Sequence, residues 1–156
     1  EKIFNEGYKS DAFRKIAEAY AEKGDFTKAL EIAEKISDNY WKSYAFKEIA
    51  EAYVKKGELE KALEIAEKIS NETNKFYAFR EIAEAYAEKG NFTKAEEIAE
   101  KISNETSKSL AFKSIVEACI KSKNLRKAKE IAEKITDNHY KSLAFKSIAK
   151  AHIKNK

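Results

Sequence analysis

The dipeptide Ala-Phe stands at Ala12-Phe13, Ala45-Phe46, Ala78-Phe79, Ala111-Phe112 and Ala144-Phe145, each step being 33 residues. The residues after it return as well: Ala45-Phe46-Lys47-Glu48-Ile49-Ala50-Glu51-Ala52-Tyr53, then Gly57, then Ala62-Leu63-Glu64-Ile65-Ala66-Glu67-Lys68-Ile69. A fixed period of this size is the mark of a stacked-repeat architecture, in which no single unit can bury its apolar face alone and neighbours share one core.

Each period holds two helical patterns. In the first, Ala12, Phe13, Ile16, Ala17 and Tyr20 fall at intervals of one, three and four, which places them on one apolar face. Gly24-Asp25 interrupts the helix, because Gly takes the left-handed conformation after a helix end and Asp caps the next start. In the second pattern Phe26, Ala29, Leu30, Ile32, Ala33 and Ile36 form the stripe expected to be buried, the small Ala29 and Ala33 letting two helices approach closely. Gly57 and Gly90 repeat the turn, and Ser37-Asp38-Asn39, Ser70-Asn71-Glu72-Thr73 and Ser103-Asn104-Glu105-Thr106 separate the periods. Glu31/Lys35, Glu64/Lys68, Glu97/Lys101 and Glu130/Lys134 are expected as surface pairs, at about 0.3 kcal/mol each.

The fourth copy departs from the others: Lys123 takes the turn Gly place, Cys119 the Tyr place and Val116 a core Ala place. The fifth supplies a first helix alone, from Lys141 to about Ile153, and a Lys-rich terminal helix of this kind suits a polar cap. The periods fall at about 8–40, 41–73, 74–106 and 107–139, with a terminal helix at 140–156. Glu1-Lys2-Ile3 lies one period before Glu34-Lys35-Ile36, so residues 1–3 read as a remnant of a preceding repeat and the chain as a piece of a longer array. An upstream signal therefore stays open, and the expected location is cytoplasmic.

With 43% apolar and 37% charged residues and no Pro or Met, the composition favours helix throughout. Abundant Lys and Glu point toward a thermophilic source, an archaeon or bacterium, although nine Asn are present. The net charge of +4 is unevenly spread, at +9 from Lys108 onward and −5 before it, which raises the question of an acidic partner. No apolar run has the length of a membrane span, so no membrane partner is expected. The single Cys119 can form no internal disulfide.

The chain carries no signature of catalysis or of a bound cofactor. The four Gly lie at Gly7 and three helix turns, so no phosphate-cradling loop is written, and His139 and His152 lack metal-ligand spacing. His152 and Cys119 share the column of Tyr20, Tyr53 and Tyr86 and read as packing residues. Asn71-Glu72-Thr73, Asn91-Phe92-Thr93 and Asn104-Glu105-Thr106 satisfy the glycosylation triplet, but their places at turns favour helix capping. Tyr40 and Trp41 are expected in a linker, as a staple to the core or an exposed anchor. The expectation is no enzyme, no cofactor and no metal.

Phe46-x-x-Ile49-Ala50-x-x-Tyr53, Gly57, Leu59, Ala62-x-x-x-Ala66 and Ile69 resemble the tetratricopeptide repeat. The period is one residue shorter than that family's usual 34, and the Pro that typically closes its second helix is absent. Ankyrin repeats share the period of 33, but their Thr-Pro-Leu-His signature is missing here. The resemblance implies an all-α fold, a right-handed α-solenoid of antiparallel helix pairs, with four helix-turn-helix repeats plus a C-terminal capping helix. It implies a concave groove lined by the first helices that binds a protein or peptide partner.

Carried over position by position, the groove columns are Tyr44, Tyr77, Leu110 and Leu143, with Asp11 first; Arg14, Lys47, Arg80, Lys113 and Lys146; and Glu18, Glu51, Glu84 and Glu117, with Lys150 last. The competing reading makes Arg14/Glu18 and its copies self-paired, solvated surface. A two-carboxylate clamp for chaperone tails needs Asn in the third column, where Glu stands, so that ligand is rejected. The second functional reading is nonspecific nucleic-acid or acidic-partner binding through the basic C-terminal repeats. Base readout of the pentatricopeptide kind uses small polar residues where Arg or Lys stands here. A third reading is a scaffold or spacer, with self-association left open.

Overall fold

Polar residues set the start of nearly every helix. Asp25, Asn91 and Asn124 each accept a hydrogen bond from the backbone N–H three residues on, at 3.1 to 3.2 Å, opening three short helices. Asp38, Asn71 and Asn104 do the same for three long ones, at 2.9 to 3.0 Å. Such caps satisfy helix-end donors and stabilise by about 1 kcal/mol apiece. All three glycosylation triplets therefore hold a capping Asn. At Glu58 the side chain makes no such bond.

A computed structural model describes residues 2–154, with side chains from Glu6. It is all helix among the described residues: α1 Lys2–Glu22, α2 Phe26–Glu34, α3 Asn39–Lys56, α4 Leu59–Glu67, α5 Glu72–Glu88, α6 Phe92–Glu100, α7 Glu105–Lys121, α8 Leu125–Glu133 and α9 Asn138–Lys154. Long first helices alternate with second helices of 9 residues. Left-handed Gly24, Gly57 and Gly90 turn three of the pairs, and Lys123 adopts the same conformation at φ 59° without being glycine.

The chain packs as two units, one ending at Ala78 and one beginning at Phe79. In the first, α1 packs on α2 and α3, α2 on α3, and α3 on α4. In the second, α6 packs on α7, α7 on α8 and α9, and α8 on α9. Consecutive helices thus pair in succession, as in helical repeats. Ala29, Ala33, Ala62 and Ala66 are wholly buried, as are Ala95, Ala99, Ala128 and Ala132. Lacking bulk, those of α2, α4 and α8 let each of these second helices lie close to its first.

Aromatic rings fill the space alongside. Phe26 of α2 stacks on Tyr53 of α3 at 3.8 Å between centroids and 11° between planes. Lys56 lies over the outer face of that stack at Phe26 (4.9 Å) and Lys61 over Tyr53 (5.9 Å). Hydrogen bonds also tie the start of a period to its end: Ser43 Oγ meets Ser70 Oγ at 3.0 Å and accepts from the Asn71 N–H at 3.2 Å. Ser109, Thr136 and Asp137 repeat the device.

Several expectations change at the ends of the pattern. Ile49, Ile82 and Ile115 are 0% exposed, but Ile16 in the same column is 44% exposed and Ala12 is also open, because no helix packs on that face of α1 among the described residues. Likewise His152 is exposed rather than packed like Tyr53, since no second helix comes after α9 among the described residues. That helix starts at Asn138 rather than Lys141, because Asp137 accepts from the N–H groups of His139 (2.9 Å) and Tyr140 (3.1 Å). For the same reason Tyr40 and Trp41 sit in the first turn of α3, not in a linker, with Asp38 capping at the Trp41 N–H. Of residues 1–3, Glu1 lies outside the described residues, and Lys2 and Ile3 belong to α1. Asn155 and Lys156 also lie outside them.

Candidate functional site

In the first unit the carried-over columns meet along α1 and α3. Arg14 of α1 is the centre. Its Nε donates to Asp11 Oδ1 at 3.0 Å, and its Nη1 donates to Glu18 Oε2 at 3.2 Å and to both carboxylate oxygens of Glu48, at 2.7 and 2.9 Å. The guanidinium also lies over the rings of Tyr44 (5.0 Å) and Trp41 (5.8 Å), an arrangement suited to a flat, delocalised cation. Burial works against the Arg14 charge, but Glu48 and Asp11 outweigh it and hold its pKa above the ordinary value.

Glu48 belongs to none of the three groove columns. Burial raises its carboxyl from 4.5 to about 7; the Arg14 hydrogen bond and charge pull the other way, and the nearby Glu18 charge adds to the rise. Next to Glu48 on α3, Lys47 donates to Glu51 at 2.5 Å and lies 5.1 Å from the Tyr44 ring centre. Beside these residues runs a groove of about 550 Å³. Glu18 and Glu22 border it from α1, Tyr44, Lys47, Glu48 and Glu51 from α3, with Ala21 and Ala52 between them and Lys55 and Lys56 at one end. Tyr77 of α5 is 42% exposed, its ring 5.0 Å from that of Phe76.

The basic column is thus not a row of open cations in this unit. Arg14 and Lys47 are both held by carboxylates, so Tyr44 sits beside cations that are already neutralised.

In the second unit Lys113 repeats the pattern, bonded to Glu117 at 2.5 Å, while Leu110, Arg80 and Glu84 are half-buried. Lys121 of α7 reaches back to Glu84 (3.6 Å) and Glu88 (3.1 Å) of α5. On α9 Leu143 is half-buried, and Lys146 and Lys150 are exposed.

Glu96 is a buried acid standing where Leu30 and Leu63 stand in earlier copies. It binds Lys127 at 2.9 Å and also Lys134, so the expected Glu130/Lys134 pair does not form; Glu130 pairs with Arg126 and Lys127. Burial opposes the Glu96 charge, yet the two lysines hold its pKa below the ordinary value. Cys119 is wholly buried and burial pushes its thiol up to about 11, which leaves it without the thiolate a nucleophile needs. No helix among the described residues is long and apolar enough to cross a membrane.

Comparison with protein families gives two matches. Residues 11–43, from the second half of α1 into α3, match the tetratricopeptide repeat, and residues 49–71, through α4, match the PPR repeat. No curated protein and no solved structure gave a significant match. With successive packed helix pairs, and with matches to two helical-repeat families confined to its first two periods, the chain is a helical repeat protein.

Proposed function

We propose that the protein is an interaction module whose groove along α1 and α3 takes a segment of a protein or peptide partner. The observation that carries this reading is Tyr44, held between the cations of Arg14 and Lys47 on the border of a groove of about 550 Å³. A rigid ring supplies contact area at little entropic cost, and its hydroxyl tolerates a wet rim. Families of both matched kinds are typically non-catalytic scaffolds, which agrees with a binding role. Tyr77 extends the aromatic surface in this unit, and Leu110 and Leu143 are the apolar counterparts in the other. Arg80, Lys113, Lys146, Glu84 and Glu117 are the polar counterparts.

The test begins with peptides selected from a displayed random library on the unmodified protein. Each is then titrated against Tyr44→Ala and Tyr77→Ala. Loss of a central aromatic anchor should weaken binding roughly 30-fold, the size of a typical hot spot of about 2 kcal/mol. Equal affinities for parent and both variants would place the binding face elsewhere. The PPR match, over the end of α3 and α4, makes RNA the competing ligand class, and labelled RNA displaced by the selected peptides would decide for a shared face.

A further inference from the structure

In three of the copies the basic column is silenced by its own helix. Arg14 meets Glu18 at 3.2 Å, Lys47 meets Glu51 at 2.5 Å and Lys113 meets Glu117 at 2.5 Å, each four residues on. In α9 that glutamate is replaced by Lys150, so Lys146 and Lys150 stand one turn apart as like charges. Lys154 extends the row. Its counterpart Lys121 is held by Glu84 and Glu88 of the preceding first helix. The two matching positions facing Lys154 are Glu117, already bonded to Lys113, and Lys121 itself. All three side chains are exposed, and none has an ion pair among the described residues.

Nothing on α9 offsets them, because Asn138–Lys154 contains no Asp or Glu. Lys141 is engaged with the Glu133 carbonyl at 2.8 Å, an acceptor that carries no full charge. Four residues of helix rise about 6 Å, so the three ammonium groups form a row about 12 Å long. Like charges at this spacing repel each other, and an anion laid along the row relieves that repulsion.

We propose that α9 is a docking strip for a nucleic-acid backbone, contacted at phosphates and without regard to base sequence. A nucleic-acid strand carries a charge every ~3.4 Å of duplex axis, so a 12 Å row faces about three phosphates at once. A peptide would need a run of adjacent carboxylates to do the same. Elsewhere in this chain carboxylates satisfy lysines singly or in twos, as Glu84 and Glu88 do for Lys121. Lys is a point charge on a flexible stem, which suits phosphate oxygens of varied geometry and reads no base edge. The strip shares no residue with the groove of the first unit, and the inference does not depend on what that groove binds.

The experiment is fluorescence anisotropy of labelled single-stranded RNA of mixed sequence, about 20 nucleotides long so that it covers the strip several-fold. A second unrelated RNA, a DNA duplex and a poly-glutamate peptide of equal charge are run beside it. Three phosphate contacts predict a slope near −2 for log affinity against log salt on a single strand, and equal affinity for the two RNA sequences. Lys150→Glu restores the residue found in the other copies and should re-form the pair with Lys146, dropping the slope to about −0.7. Lys146→Gln combined with Lys150→Gln gives a second route to the same loss should Lys150→Glu alter the circular dichroism spectrum. Lys129→Glu, an equal charge change on α8 of the same unit, is the control and should leave the slope near −2. The proposal is overturned by absent binding, by Lys129→Glu acting as strongly as Lys150→Glu, or by poly-glutamate binding tighter than RNA.

Discussion

Removing Tyr53 tests whether neighbouring periods share one core. The ring is 7% exposed, lies flat on Phe26 of the preceding period at 3.8 Å, and is capped on its far side by Lys61. Truncating a buried aromatic to Ala costs about 4 kcal/mol in lost transfer energy and residual cavity. Of this, about 1 kcal/mol belongs to the ring-on-ring contact rather than to burial alone. Tyr53→Leu, Phe26→Leu and the double variant isolate that share, since Leu retains apolar bulk but has no ring to stack. The assay is urea unfolding monitored by far-ultraviolet circular dichroism, with hydrogen exchange to locate the damage. A coupling near 1 kcal/mol is expected, together with lost protection in α2 as well as α3 when Tyr53 alone becomes Ala. Effects that add to within about 0.3 kcal/mol would refute the stacked pair. Protection lost only in α3 would refute the shared core.

Lys123→Gly should raise stability by about 0.5–1 kcal/mol, because a side chain at φ 59° pays a left-handed penalty that Gly24, Gly57 and Gly90 escape; it would appear as a higher urea midpoint at unchanged slope. Glu48, with its folded pKa raised from 4.5 to about 7, binds its proton more tightly in the folded state. Its contribution is therefore complete below pH 4.5 and is lost as pH rises through 7, by at most about 3 kcal/mol. Glu48→Gln should flatten urea midpoints across that window, and an unchanged pH profile would remove Glu48 as the cause.

The repeated turns, the capping Asp and Asn and the Ala-lined helix contacts are all legible in the sequence, because each depends on residues close along the chain. Glu48 is not. It reaches Arg14 across 34 residues, one more than the period, so comparison within columns never brings the two together. A signal does exist: Lys15 stands in the first copy where Glu48 and Glu81 stand later. The end effects are hidden for a different reason. Ile16 and His152 occupy the same columns as Ile49 and Tyr53, and only the absence of a neighbouring helix among the described residues distinguishes them. The lysines of α9 are visible as charge, but only the bonded pairs Lys47–Glu51 and Lys113–Glu117 reveal that Lys150 withdraws a counterion.

The buried acids of the two units respond oppositely to falling pH. Glu48 gains from taking up a proton, whereas Glu96, whose two lysines keep its pKa low, loses its attachment to α8 when protonated. Mild acidification toward pH 4.5 therefore firms the N-terminal half, and stronger acid loosens the C-terminal half. The place where this chain yields first is set by two glutamates, and one of them, Glu96, stands where earlier copies carry Leu30 and Leu63.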